Sequence, residues 1–265
     1  MGDLNLGLPL FESFLHSLNI PESCLLNKPL FKKMFQENGD LGVADRSALK
    51  EDVEKVRWLY ALKPDAINIP PFKNEDYEYP EVEVLHVSVL GIKRIKRIAG
   101  FINKAIPYPL IILFTHCESD HEQLAIAVSE KRINKADNEK WVVSDPVISG
   151  WISLGSERSD EAHFLRSLSI ENLSFTNFKR FYESWFERIV AVKCAEKSGS
   201  YHVGREGGGA PETRLEKLTE IERLNDEQAG LLKKLQKERQ LGRQIEINTK
   251  VKKIKDDIES IKKDL

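Results

Sequence analysis

No apolar run in this sequence is long enough to cross a bilayer. None exceeds the five residues of 110–114 (Leu-Ile-Ile-Leu-Phe), where a spanning helix needs about 20. Cysteine is scarce as well. Cys24, Cys117 and Cys194 are odd in number and far apart, which excludes a disulfide framework and suits a reducing compartment. The two charge signs nearly cancel, 42 acidic against 40 basic residues for a net of -2, so the chain exerts no global pull on phosphate backbones and any DNA contact must rest on a local patch. Asp3 stands where a secretion signal would carry basic residues. A cytoplasmic location is therefore expected.

Familiar catalytic signatures are also missing. There is no Gly-X-Ser-X-Gly elbow, and Cys194 falls in a helical pattern that predicts a buried, inert thiol. Gly207-Gly208-Gly209 lacks both the Gly-Lys-Ser/Thr ending and the preceding apolar strand of a phosphate loop. His116-Cys117-Glu118-Ser119-Asp120-His121 is a row of possible metal ligands. It lies in a predicted loop, where polar residues gather anyway, and no second Cys or His pair stands at a matching spacing. No metal or cofactor is assigned.

What is present is an α/β pattern followed by a charged helical tail. Leu10, Phe11, Phe14, Leu15 and Leu18 recur at helical spacing and stop at Pro21. Pro29 predicts a turn or a first helical position. A longer helix is expected from Asp45, with Leu49, Val53, Val56, Leu59 and Tyr60 on one face, ending before Pro64. The apolar period then changes to two. Val82, Val84, Val87 and Val89 predict a strand, Ile92, Ile95, Ile98, Ala99, Ile102 and Ala105 a helix, and residues 110–114 and 124–128 a hairpin of buried strands. Shorter strands follow at Trp141 and Trp151. An aromatic stripe of Phe175, Phe178, Phe181, Tyr182, Trp185, Ile189 and Val192 marks a core helix rather than a base-stacking platform. The expected fold is a mixed α/β (α+β) one, a small mixed sheet flanked by helices.

The glycine-rich stretch then predicts a division into an α/β domain over residues 1–198, a linker over 199–211 and a helical segment over 212–265. In that last segment 26 of 54 residues are charged, with the signs interleaved, which fits a solvated helix better than a nucleic-acid arm. Ile247, Val251, Ile254, Ile258, Ile261 and Leu265 form a heptad seam, and Leu215, Leu218, Ile221, Leu224, Leu231 and Leu235 a second stripe. The phase breaks near Gly242, so an antiparallel coiled-coil hairpin reversing there is expected. Such a pair is thin. Ile247, Val251, Ile254, Ile258 and Ile261 are therefore the candidate partner-binding residues, with a homodimer as the plain alternative.

Two further sets could carry function. Lys93, Arg94, Lys96 and Arg97 open a helix, where cations oppose the macrodipole; with Lys131 and Arg132 they form a candidate nucleic-acid-binding patch. A restriction-type nuclease would need an acidic residue followed by Asp/Glu-X-Lys on the next strand, holding a metal. Asp65 and Glu83 offer a beginning, but Leu85 stands where the lysine belongs, leaving Lys131 as a distant substitute. No catalytic residue is assigned.

The runs Asn27-Lys28-Pro29, Val56-Arg57-Trp58-Leu59-Tyr60-Ala61-Leu62-Lys63-Pro64 and Ile67-Asn68-Ile69-Pro70-Pro71 resemble a bacterial family catalogued as domain of unknown function 4391. So do Ala105-Ile106-Pro107-Tyr108-Pro109, Lys131-Arg132-Ile133-Asn134, Asn172-Leu173-Ser174-Phe175-Thr176-Asn177-Phe178 and Arg243-Gln244-Ile245-Glu246-Ile247-Asn248. The resemblance spans almost the whole chain. It implies no catalytic residue. Members tend to be encoded beside helicases and DNA methyltransferases in restriction-like or antiphage clusters, which implies a non-catalytic accessory protein of a DNA-directed defence assembly, docking on such a partner. A divergent metal-dependent nuclease is the alternative.

Overall fold

A computed structural model describes residues 9–38, 40–119, 121–137, 141–156, 158–203 and 210–265. Asp120 and Gly207, Gly208 and Gly209 of the expected linker lie outside the described residues. The chain divides into two compact units, Met1–Ile189 and Val190–Leu265.

The first unit opens with α1 (Pro9–Ser17), β1 (Leu25–Leu30), α2 (Lys32–Asn38), α3 (Val43–Glu51), β2 (Val53–Leu62) and the single turn α4 (Pro64–Ile67). A small ribbon, β3 (Phe72–Lys73) with β4 (Glu78–Tyr79), leads to β5 (Val82–Val89), α5 (Ile95–Ala105), β6 (Leu110–Glu118) and β7 (His121–Val128). Short strands β8 (Lys131–Ile133), β9 (Trp141–Val143), β10 (Val147–Ile148) and β11 (Ile152–Ser153) precede α6 (Ser159–Ser167) and α7 (Phe178–Ser198), whose residues from Val190 on fall in the second unit. Seven strands form one mixed sheet ordered β1-β2-β5-β6-β7-β10, with β11 also on β7. Only β5 and β6 run parallel, joined through α5; the other pairs are antiparallel.

Residues opposite one another in a ladder share a face. Leu85, Val87, Ile112, Phe114, Ala125 and Ala127 share one buried face with Ile95, Ile98, Phe101 and Ile102 of α5, and Phe35 of α2 and Leu49 of α3 join the same core. The other face carries His86, Thr115 and Glu122. Phe11 of α1 lies against the His86 ring at 4.5 Å, and Glu122 accepts the amides of Leu10 at 3.3 Å and Phe11 at 2.9 Å. A carboxylate there satisfies donors that the first turn of a helix leaves open. The aromatic stripe of α7 is buried from Phe178 to Val192, whereas Phe175 precedes the helix and is exposed.

Two expectations are corrected. The helix predicted from Asp45 to Lys63 ends at Glu51, and Val53 onward is the strand β2. Register shifts between Val53 and Lys55 and between Trp58 and Tyr60 explain the misreading. Each bulge inserts one residue, so Val53 and Val56 share a face three positions apart and mimic helical spacing. Pro29 starts no turn or helix; it sits in β1, which pairs with β2 alone. An edge strand tolerates a residue with no amide to give.

The second unit contains the antiparallel pair α8 (Pro211–Lys237) and α9 (Leu241–Lys263). Lys217 Nζ near the start of α8 donates to the Asp264 carbonyl at 2.8 Å, just past α9. Ile221, Leu224, Ile254 and Ile258 form the buried seam, flanked by Leu231, Ile261 and Leu265. The reversal falls at residues 238–240, ahead of Gly242, which lies inside the first turn of α9. Glu238 makes the turn instead, accepting the amides of Arg239 and Gln240 at 2.9 Å each. No helix among the described residues is long and apolar enough to cross a membrane.

Candidate functional site

Parallel strands in an open sheet leave a crevice beyond their carboxyl ends. At the ends of β5 and β6 this crevice is a cleft of about 670 Å3, lined by Asp52, residues 90–94 and residues 116–118. The His116 ring donates from Nδ1 to the Val89 carbonyl at 3.0 Å and lies edge-on to Trp151 at 6.1 Å. The polar segment predicted as a loop is the outer end of the β6–β7 hairpin, with Cys117 opposite Glu122 and Glu118 opposite His121. Strand alternation sends neighbouring side chains to opposite faces. Among the described residues no three His, Cys, Asp or Glu groups come together as metal ligands.

The six cations pooled from sequence have separate fates. The Arg94 guanidinium is forked onto Asp52, reaches Glu51 at 2.8 Å and donates to Ser47 Oγ at 2.9 Å, and these hydrogen bonds hold its pKa above the usual arginine value. Arg97 pairs with Asp45 at 2.8 Å and Lys96 with Asp145 at 3.2 Å. Arg132 stands 3.9 Å from Glu130. Lys93, on the cleft, is exposed and has no carboxylate partner among the described residues. These carboxylates answer the macrodipole problem posed by cations at the start of α5: each arginine there brings its own counter-ion.

Lys131 does not reach the surface. It is fully buried, and its Nζ donates to the carbonyls of Ile106 and Tyr108, each at 2.5 Å. Two of the segments that carry the family resemblance, residues 105–109 and 131–134, thus meet at this ammonium. Burial with no nearby carboxylate lowers its pKa to about 7. A neutral amine has two N–H donors, matching the two carbonyls.

Glu83 is buried too, at 1% exposure, and accepts a hydrogen bond from Trp58 Nε1. Burial raises its pKa to about 8; the Trp58 bond opposes the rise and Glu81 adds to it. Asp65 sits exposed on the one-turn helix α4. Because the folded state holds the Glu83 proton that the unfolded chain releases above about pH 4.5, stability should fall as pH rises from there to about 8. Glu83→Gln keeps an acceptor for Trp58 and cannot ionise. Its stability relative to the native chain should therefore improve with pH, at up to about 1.4 kcal/mol per pH unit across that window, as read from urea melts at a series of pH values. Parallel profiles would show that Glu83 ionises freely.

His86 is another buried group held neutral. Burial first, then Arg57 and Lys55, lowers its pKa to about 3, and Nε2 lies 2.7 Å from Thr115 Oγ1. In the second unit, burial pushes the Cys194 thiol up. Of the candidate partner-binding residues, Ile254 and Ile258 are buried against Ile221 and Leu224 of α8, with Ile261 packed beside them. Ile247 and Val251 are half-buried.

A family model described as Domain of unknown function (DUF4391) matches residues 18–258. The chain belongs to that family. No curated protein and no solved structure matches it. The DUF4391 match runs through both units, so the hairpin is part of what the family shares and not an appendage to it. In this DUF4391 chain, sequence reasoning missed the exposed pair Leu241 and Ile245. Their signal was present: both are large aliphatics amid lysines and arginines, ahead of the seam that begins at Ile247.

Proposed function

We propose that the protein is a cytoplasmic, non-catalytic adaptor that carries a protein partner on its C-terminal hairpin. The observation that carries this reading is the thinness of the hairpin. Two helices of 27 and 23 residues bury five aliphatics, Leu218, Ile221, Leu224, Ile254 and Ile258, leaving most of their surface to meet something else. The α/β unit supports binding over catalysis for a complementary reason. Its strongly shifted groups, Lys131, Glu83 and His86, are buried and engaged by backbone carbonyls, Trp58 and Thr115. A nuclease built on Asp65, Glu83 and Lys131 would need the last two presented to a substrate.

The resemblance supplies the class of partner, a helicase or DNA methyltransferase of a bacterial DNA-directed defence assembly. Nucleic-acid contact, where it occurs, runs through Lys93, Lys96, Arg97 and Arg132, which reach solvent; Lys131 plays no part in it. Affinity purification of the full chain and of an Ile254→Asp/Ile258→Asp variant, with and without nuclease treatment, tests both proposals. Partners identified by mass spectrometry should be lost from the variant and should survive nuclease. An unchanged set of partners on the variant sinks the adaptor, and nuclease-sensitive retention would show that nucleic acid does the bridging.

A further inference from the structure

We propose that the far end of the hairpin is a docking knob for a protein that presents an acidic, apolar-lined surface. The inference rests on the adaptor reading and locates its contact. Residues 231–246 carry Lys233, Lys234, Lys237, Arg239 and Arg243 against Glu238 and Glu246. Glu238 accepts the two amides of the turn and lies 3.9 Å from Arg243. Elsewhere on the hairpin two cations are neutralised in place, while Lys250, Lys252, Lys253 and Lys255 are exposed with no ion pair among the described residues. Arg223 pairs with Glu220 at 2.7 Å and Glu227 at 3.0 Å, and Lys262 with Glu259 at 2.8 Å. At the far end Lys233, Lys234, Lys237 and Arg239 are exposed and have no carboxylate partner among the described residues.

Between these charges stand large aliphatics with nothing over them. Leu241 is 71% exposed and Ile245 58%, and Leu232 of the facing helix is 42% exposed. Leu241 and Ile245 are one turn apart on the same face of α9, spaced to enter one apolar groove as paired anchors. The combination selects the occupant. A nucleic acid would use the cations but not the aliphatics, and residues 231–246 contain no aromatic to stack on a base. Three aliphatics make too small an apolar face for a lipid interface. Two copies meeting end to end would oppose like charges. An acidic rim around an apolar groove satisfies both features together.

The test uses the full chain and fluorescence anisotropy with a labelled amphipathic peptide of leucine and glutamate. The same peptide with lysine for glutamate, a short DNA duplex, and phosphatidylcholine vesicles containing phosphatidylserine serve as the other arms. The Leu/Glu peptide should bind, weaken as salt rises, and bind about tenfold or more weakly to Leu241→Ser/Ile245→Ser. Both substitutions lie on solvent, so the helical circular dichroism should not change. Equal binding of the lysine peptide, or no effect of the double substitution, overturns the proposal. DNA or vesicle binding with the same dependence on Leu241 and Ile245 overturns it in favour of that ligand, and self-association in sedimentation velocity that the double substitution abolishes overturns it in favour of a second copy. Partners that leave Ile254→Asp/Ile258→Asp but stay on Leu241→Ser/Ile245→Ser would remove the knob and keep the adaptor.

Discussion

Lys131→Ala should lower the stability of the α/β unit by about 3–5 kcal/mol. Two causes add. The substitution strips the donors from the buried carbonyls of Ile106 and Tyr108, at about 1–3 kcal/mol for each group left unsatisfied. It also empties the space of a fully buried four-carbon stem. Lys131→Met separates the two, because it refills the space without restoring the donors, and should recover about half of the loss. The native amine has a pKa of about 7 in the folded chain against an ordinary 10.5. The folded state therefore binds fewer protons than the unfolded chain between those values, and stability should rise with pH across that window. Denaturant melts from pH 8 to pH 10, above the window in which Glu83 acts, should show this rise in the native chain and not in Lys131→Met. Identical slopes would mean that the amine stays charged when folded.

Ile254→Asp/Ile258→Asp should open the hairpin while leaving the α/β unit intact. Each substitution removes a buried aliphatic and strands a carboxylate in the seam, at about 3–5 kcal/mol apiece. Five buried aliphatics supply too little to absorb that. The composition provides a clean separation of signals. All four tryptophans, Trp58, Trp141, Trp151 and Trp185, lie in the first unit, so the intensity and emission maximum of tryptophan fluorescence report the α/β unit alone. Those should stay native, while far-ultraviolet dichroism loses the contribution of α8 and α9, 27 and 23 residues. Helix content unaffected by both charges would mean that the pair is not held by this seam.

How much of this was legible beforehand depended on the distance over which each feature is decided. The β6–β7 hairpin and α5 could be read from the sequence because their periodicity is local and uninterrupted, and so could the antiparallel return of the C-terminal helices. β2 could not, since its two bulges turned an alternating pattern into a helical one. The cation patch was visible as composition, but its neutralisation was not. Arg94 meets Asp52 across 42 residues and Arg97 meets Asp45 across 52, and no spacing rule connects such pairs. The same holds for Lys131, whose two carbonyl partners lie on the main chain and leave no mark on residue identity. Glu83 was noticed as a possible metal ligand; its burial, which raises its pKa, could not be read from the sequence.

The bond between Glu122 and the opening turn of α1 has a consequence for how the chain is made. Phe11 and Glu122 are separated by 111 residues, so the nascent first helix leaves the ribosome with its amide end open to water. It cannot be anchored until β7 has been synthesised and paired. The α1 segment, made before β7, should thus be among the last to settle, and a stalled or prematurely released product ending before Glu122 would expose Phe11, Phe14 and Leu15 to chaperones.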